Sequence, residues 1–254
     1  MKYGISELSI IPMRHSPSDK DEMVNQILFG EHFQVLEKRK KWSKIRLAHD
    51  KYEGWICNKQ WTEIDKNNYK KLEEEKTVIT TDIFDIITKD YPQPIVIGSI
   101  LPLHKDSYTF IGGNKYKFSG LITKGFTEKQ KIIENALIYL NTPYLWGGRS
   151  PLGIDCSGFT QMVYRLQGIA LPRDAYQQAE IGNTLSFIEE SEVGDLAFFD
   201  NNEGKITHVG IILENNHIIH ASGMVRIDRI DQQGIFNKTL GSHTHKLRLI
   251  KNIT

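Results

Sequence analysis

The stretch Tyr144-Leu145-Trp146-Gly147-Gly148-Arg149-Ser150-Pro151-Leu152-Gly153-Ile154-Asp155-Cys156-Ser157-Gly158 decides the reading of this chain. It joins a loop that cannot be helical to a segment that can. Pro143, Pro151 and the glycines break any helix before Asp155. After it, Phe159, Val163 and Leu166, with Met162 beside them, recur at helical spacing, and Gly168 ends the run. Asp155 is a residue type that caps helix starts. A cysteine in the first turn meets unpaired backbone N–H groups and a partial positive charge, both of which favour thiolate over thiol. Cys156 is therefore a candidate nucleophile. The tetrapeptide alone also suits a small buried cysteine.

A thiol nucleophile needs a base. His208-Val209-Gly210-Ile211-Ile212-Leu213 and His217-Ile218-Ile219-His220 are apolar runs separated by Glu214-Asn215-Asn216, a turn-forming cluster. An antiparallel hairpin centred near Glu214 sets His208 opposite His220 at its open end. Their separation is even, so both rings share one face, with Cβ atoms about 4.5–5.5 Å apart. One ring can then take the thiol proton while the other orients it. A pair of core histidines is the other reading. His217 falls in the expected turn and reads as solvated.

From Tyr144 to His220 the chain resembles the NlpC family of papain-like cysteine peptidases, which cut cell-wall peptides. Six motifs carry the resemblance: Tyr144 to Gly148, Asp155 to Gly158, Leu171 to Gln178, Gly194 to Phe199, His208-Val209-Gly210 and His220-Ala221. It covers residues 127–251. It implies Cys156 as nucleophile, His208 as general base and His220 as the orienting residue. It also places Tyr144, Asp155, Ser157, Arg173 and Asp174 around the substrate cleft. Arg173 can meet a substrate carboxylate through its planar fork, whereas Asp155 also reads as a plain helix cap. The oxyanion donors are expected from the Cys156 backbone N–H and a neighbour. Asp195 reads as structural.

The N-terminal half narrows the resemblance. Trp42, Ile45 and Leu47, the turn Asp50 to Gly54, then Trp55 and Ile56 suit a small SH3-like barrel. Phe29-Gly30-Glu31 and the turn from Tyr52 to Trp55 resemble the bacterial SH3 domain of γ-D-glutamyl-L-diamino acid endopeptidases. That resemblance implies that Tyr52 and an acidic residue, Glu22 by position, close the pocket around a free N-terminal L-alanine. Both also read as exposed loop residues. Lys38 to Lys41 marks a solvated hairpin tip. Asn67 to Lys76 reads as a polar helical connector. Val78 to Ile122 reads as strands interrupted by Pro92, Pro94 and Pro102, a second SH3-like module. Thr127 to Leu140 reads as a helix with Ile132, Ile133, Ala136, Leu137 and Leu140 on one face.

The expected fold is therefore α+β, a papain-like cysteine peptidase domain (127–254) preceded by two small SH3-like β-barrel modules (1–66, and 67–126 with the connector helix). The 254 residues and 39% hydrophobic content allow such a layout. A net charge of +1, from 32 basic and 31 acidic residues, gives no nucleic-acid or membrane patch. Cys57 reads as a small buried residue, so no disulfide framework is expected. No metal or cofactor is expected, because the histidines lack further ligands at metal-site spacing. Nothing after Met1 has a secretory h-region, which leads to the expectation of a cytoplasmic enzyme.

The expected partner is a murein-derived peptide, L-Ala-γ-D-Glu-diamino acid, cleaved during wall recycling. The alternatives are an acyl transferase or amidase on the same fold, and a non-enzymatic wall-binding protein.

Overall fold

The computed structural model describes residues 2–125 and 128–253. Met1, Phe126, Thr127 and Thr254, where expected domain ends and the start of the Thr127 helix fall, lie outside the described residues. The chain forms two units, Met1–Gly125 and Phe126–Thr254.

In the first unit, alternation makes strands. Ile11 and Met13, Phe33 and Val35, and Ile45 and Leu47 point inward from their strands and are buried together with Ile27 and Ile56. They belong to a seven-stranded antiparallel sheet ordered Met23–Leu28, Ile10–Arg14, Glu53–Cys57, Trp42–Leu47, His32–Lys38, Lys2–Ile5, Thr62–Ile64. The basic run Lys38 to Lys41 is exposed between two of these strands. Glu31 of the Phe29-Gly30-Glu31 phrase is fully buried, and its carboxylate accepts the Leu28 N–H at 3.0 Å. Cys57 departs from expectation: it ends its strand at the rim and is half-exposed, a free thiol.

Asp65 then caps the helix Lys66–Glu74 by accepting the Asn68 N–H at 2.8 Å. A four-stranded sheet follows, ordered Pro92–Val96, Phe84–Thr88, Asn114–Lys117, Tyr108–Ile111, with a separate pair of Ile79–Thr80 and Ile122–Thr123. Pro92 and Pro94 sit inside a strand rather than interrupting one, because that strand is at the sheet edge, where a missing N–H costs no ladder bond. Tyr3, Ile5, Phe29 and Ile64 share one buried cluster with Tyr69, Ile87, Ile95, Ile111 and Phe118. That cluster crosses residues 66/67, so the connector helix and the sheet beyond it pack into the same unit.

The second unit has the helices Gln130–Leu137, Cys156–Leu166 and Ala175–Gln178. Its sheet runs Asn183–Leu185, Ser242–Asn252, Leu196–Asp200, Ile206–Leu213, His217–Ser222, Met224–Asp231, Gly234–Asn237. Gly234–Asn237 also pairs with Ser242–Asn252, which closes the sheet on itself. The helix Cys156–Leu166 packs against the strands Ile206–Leu213 and His217–Ser222 and against the helix Gln130–Leu137. All of it but Arg165 is buried. Phe159, Met162, Val163 and Leu166 are fully enclosed, each stabilising the unit by about 1.5–3 kcal/mol. Among the described residues no helix is long and apolar enough to cross a membrane.

Candidate active site

Asp155 fixes where Cys156 sits. It is extended, its Oδ1 accepts the Gly158 N–H at 2.7 Å to cap the helix, and its Oδ2 accepts the Gly147 N–H at 2.8 Å from the preceding loop. That loop is held in turn by Tyr144 N–H to Gly223 O at 2.9 Å and Leu145 N–H to Ile154 O at 3.1 Å. Gly158 is required by approach: a Cβ there would lie 2.3 Å from the Gly148 carbonyl oxygen. Arg173 Nη1 donates to Asp155 Oδ1 at 2.9 Å and to Ser157 Oγ at 3.0 Å, while Nη2 donates to Asp155 Oδ2 at 2.5 Å. Gln178 ties the same segment down by donating to the Ser157 and Pro172 carbonyls at 3.0 and 2.8 Å.

This corrects one expectation. Arg173 is 2% exposed and its fork closes on Asp155, so the structure places it under the nucleophile loop rather than open to a substrate carboxylate. Ser157 is likewise buried. Tyr144 is half-buried, and its phenol is pushed up by burial and then by the charges of Cys156 and Asp155. Asp174 begins the helix Ala175–Gln178 and is half-exposed. Tyr52 and Glu22 belong to the first unit: Tyr52 packs on the barrel core, and Glu22 is exposed just before Met23–Leu28.

The hairpin differs in register from expectation. Its turn is centred on Asn215, with Asn215 and Asn216 both at φ 57°, a left-handed conformation that asparagine tolerates. Gly210, not His208, therefore lies opposite His220. A Cβ on Gly210 would come within 2.8 Å of the His220 Cβ, so the glycine leaves the space across which the two rings meet diagonally. His208 Nε2 lies 2.8 Å from His220 Nδ1, with the ring planes at 86°. His220 Nε2 lies 3.1 Å from Asp228 Oδ2. Arg226 closes the chain, with Nη2 donating to Asp228 Oδ1 at 2.9 Å and Nε 2.7 Å from Oδ2. A third ring, His245, stacks on His208 with centroids 4.2 Å apart and planes at 28°.

Asp228, Arg226 and His245 escape sequence reasoning. Asp228 and Arg226 alternate in a charged strand, Met224–Asp231, that reads as solvated. His245 arrives from the far end of the unit through pairing of Ser242–Asn252 with Leu196–Asp200.

The thiol sits beside this array, with Cys156 Sγ 4.0 Å from the carbonyl oxygen of Thr207, the residue before His208. Its electrostatics reverse the expected thiolate. Burial, then the Asp155 charge, push Cys156 up to about 12, outweighing the Val209 and Ser157 backbone N–H groups that favour the anion. Burial, then His220 and His245, hold His208 well below 6.5. Burial, then the neighbouring His220, bring His245 down to about 4. At neutral pH the resting pair is thus a thiol and an uncharged imidazole, a base ready to accept a proton.

A pH profile tests this. Protonation disables His208 only well below pH 6.5, and the thiolate does not accumulate until pH approaches 12. Alkylation of Cys156 by iodoacetamide, measured in a Cys57→Ser background, should therefore be slow at pH 7 and climb through the alkaline range. A fast reaction already at pH 6 would show a resting ion pair instead.

Comparison with known proteins follows the two units. Residues 141–244 match the NlpC/P60 family, and residues 13–60 match the bacterial dipeptidyl-peptidase SH3 domain. Dipeptidyl-peptidase 6 of Lysinibacillus sphaericus is 29% identical over 240 residues, covering 84% of this chain and 86% of that protein. The γ-D-glutamyl-L-lysine dipeptidyl-peptidase of Bacillus cereus is 27% identical over 268 residues, covering 90% and 77%. A crystal structure of an NlpC/P60 family protein from Bacillus cereus superposes with a TM-score of 0.83 over 99% of both chains. At 19% identity that likeness is one of fold.

Proposed function

We propose that this chain, a cysteine peptidase of the NlpC/P60 family with a bacterial dipeptidyl-peptidase SH3 domain, hydrolyses the bond between γ-D-glutamate and a diamino acid in cell-wall peptides. The observation that carries the reading is the buried His208–His220 pair, which bridges two neighbouring strands beside the Cys156 thiol, with Thr207 next to His208 in contact with the sulfur. In this reading His208 takes the thiol proton and Cys156 Sγ attacks the γ-carbonyl carbon. The helix-start N–H groups near Cys156, which lack intrahelical acceptors, receive the oxyanion. Collapse breaks the C–N bond, and the leaving amine takes the proton from His208. Water, deprotonated by the same ring, then hydrolyses the thioester and restores the thiol.

Tyr144 and Asp174 are read as cleft residues, and Asp155 with Arg173 as the clamp beneath them. Residues 67–126 are read as a second SH3-like module, on the strength of their short paired strands. Two relatives are named dipeptidyl-peptidases, and a dipeptidyl-peptidase works from a free amino terminus. The substrates are therefore read as released fragments beginning with free L-alanine, met during recycling, rather than intact murein.

The test is mass spectrometry of products from L-Ala-γ-D-Glu-diaminopimelate and its lysine counterpart, each free and N-acetylated. Free peptides should yield L-Ala-D-Glu. Acetylation removes the ammonium and should slow cleavage by about 10²-fold or more, the scale of an unpaired buried charge. Equal rates would exclude the free-amine requirement, and absence of the dipeptide would exclude the bond assignment.

A further inference from the structure

We propose that Asp228, acting through His220, is a positioning residue that sets the tautomer of His208 and leaves its Nδ1 bare for the Cys156 proton. The inference rests on the reading of Cys156 and His208 as nucleophile and base. It starts from the direction of the hydrogen bonds.

A carboxylate only accepts, so the 3.1 Å contact between Asp228 Oδ2 and His220 Nε2 puts the proton on Nε2. The Arg226 fork faces both Asp228 oxygens, so the carboxylate is already balanced and does not require a charged His220. An uncharged His220 with Nε2–H has a lone pair on Nδ1. That atom, 2.8 Å from His208 Nε2, then accepts a proton donated by His208. His208 carries its single proton on Nε2 and exposes the Nδ1 lone pair.

Reversing any link would put hydrogen on Nδ1 and remove the base. Burial makes the ordering firm: Asp228, His220 and His208 are 7%, 1% and 6% exposed, so water does not compete for these sites. When His208 accepts the thiol proton, the new positive charge is separated from the Asp228 charge by one ring. Burial pushes the Asp228 carboxyl up, but the His220 and Arg226 hydrogen bonds hold it below its usual value, so it stays ionised through this step.

The experiment has one arm that needs no substrate. Nitrogen-15 NMR of the histidine-labelled protein at pH 7.5 should show both His208 and His220 uncharged, with the proton on Nε2. In Asp228→Asn, the carboxamide can donate to His220, and His220 should populate the Nδ1–H form. A doubly protonated His220 in the unmodified protein, or identical tautomers in both proteins, overturns the proposal. The second arm is steady-state cleavage of the wall peptide. Asp228→Asn should lower kcat by about 10²-fold with KM within about twofold and little change in thermal midpoint, because only the base is mis-set. An unchanged kcat, or a loss tracking the thermal midpoint, would make Asp228 merely structural. Should the unmodified protein cut no wall peptide, the proposed function fails, while the tautomer measurement still decides the role of Asp228.

Discussion

Replacing Cys156 by alanine is expected to remove turnover, a loss of about 10⁵-fold or more, while leaving the fold in place. Without sulfur the scissile carbonyl of the proposed substrate has no covalent partner, and the His208 array is left only with water to activate. Stability should hold, because alanine is a good helix former at the first helical position and the thiol's contact with the Thr207 carbonyl is long, at 4.0 Å. Dipeptide release measured under single-turnover conditions, beside thermal unfolding of both proteins, checks the two halves. Residual activity within about tenfold of the parent would falsify the thioester route. The same measurement separates an enzyme from a wall-binding protein, since binding would survive and turnover would never have been present.

Local signals in the sequence carried the nucleophile helix. Asp155 at a cap position, apolar residues at 159, 162, 163 and 166, and Gly168 beyond them all act within a few turns, and the helix runs Cys156–Leu166 as they require. The hairpin shows how far such signals reach. Centring the turn at Asn215 rather than Glu214 moves the pairing by two residues. An even shift keeps every side chain on its face, so His208 and His220 still meet, diagonally and over Gly210. An odd shift would have separated them.

What stayed hidden depends on long-range pairing. His245 joins the cluster only because the sheet closes, with Gly234–Asn237 and Leu196–Asp200 both paired to Ser242–Asn252, whereas Asp228 enters from Met224–Asp231, the strand paired to His217–Ser222. The protonation state was hidden for a related reason. A helix start favours thiolate, but the enclosure that opposes it comes from the sheet packed over Cys156, which no local pattern announces.

Arg173 offers the sharpest contrast between the two levels of reading. As a cleft residue meeting a substrate carboxylate, its loss would raise KM and leave stability nearly unchanged. As the partner of Asp155, its loss strands a buried carboxylate. Arg173→Leu should then destabilise the protein by about 3–5 kcal/mol, the usual result of breaking one side of a buried ion pair. The damage should spread to chemistry, because Asp155 also holds the Gly147 and Gly158 N–H groups that set the loop and the helix start around Cys156. A shift of about 1 Å there costs about 10²-fold in rate, so kcat should fall along with stability. Arg173→Lys keeps the charge but cannot span both carboxylate oxygens and Ser157 Oγ, and should fall between the parent and the leucine variant. Adding Asp155→Asn to Arg173→Leu removes the stranded charge, so the double variant should be more stable than the sum of the two single losses implies. Chemical unfolding of the five proteins (the parent, Arg173→Leu, Arg173→Lys, Asp155→Asn and the double variant), with kcat and KM for those that fold, measures all of this. A KM effect confined to Arg173→Leu, with additive and small stability changes, would return the residue to the substrate.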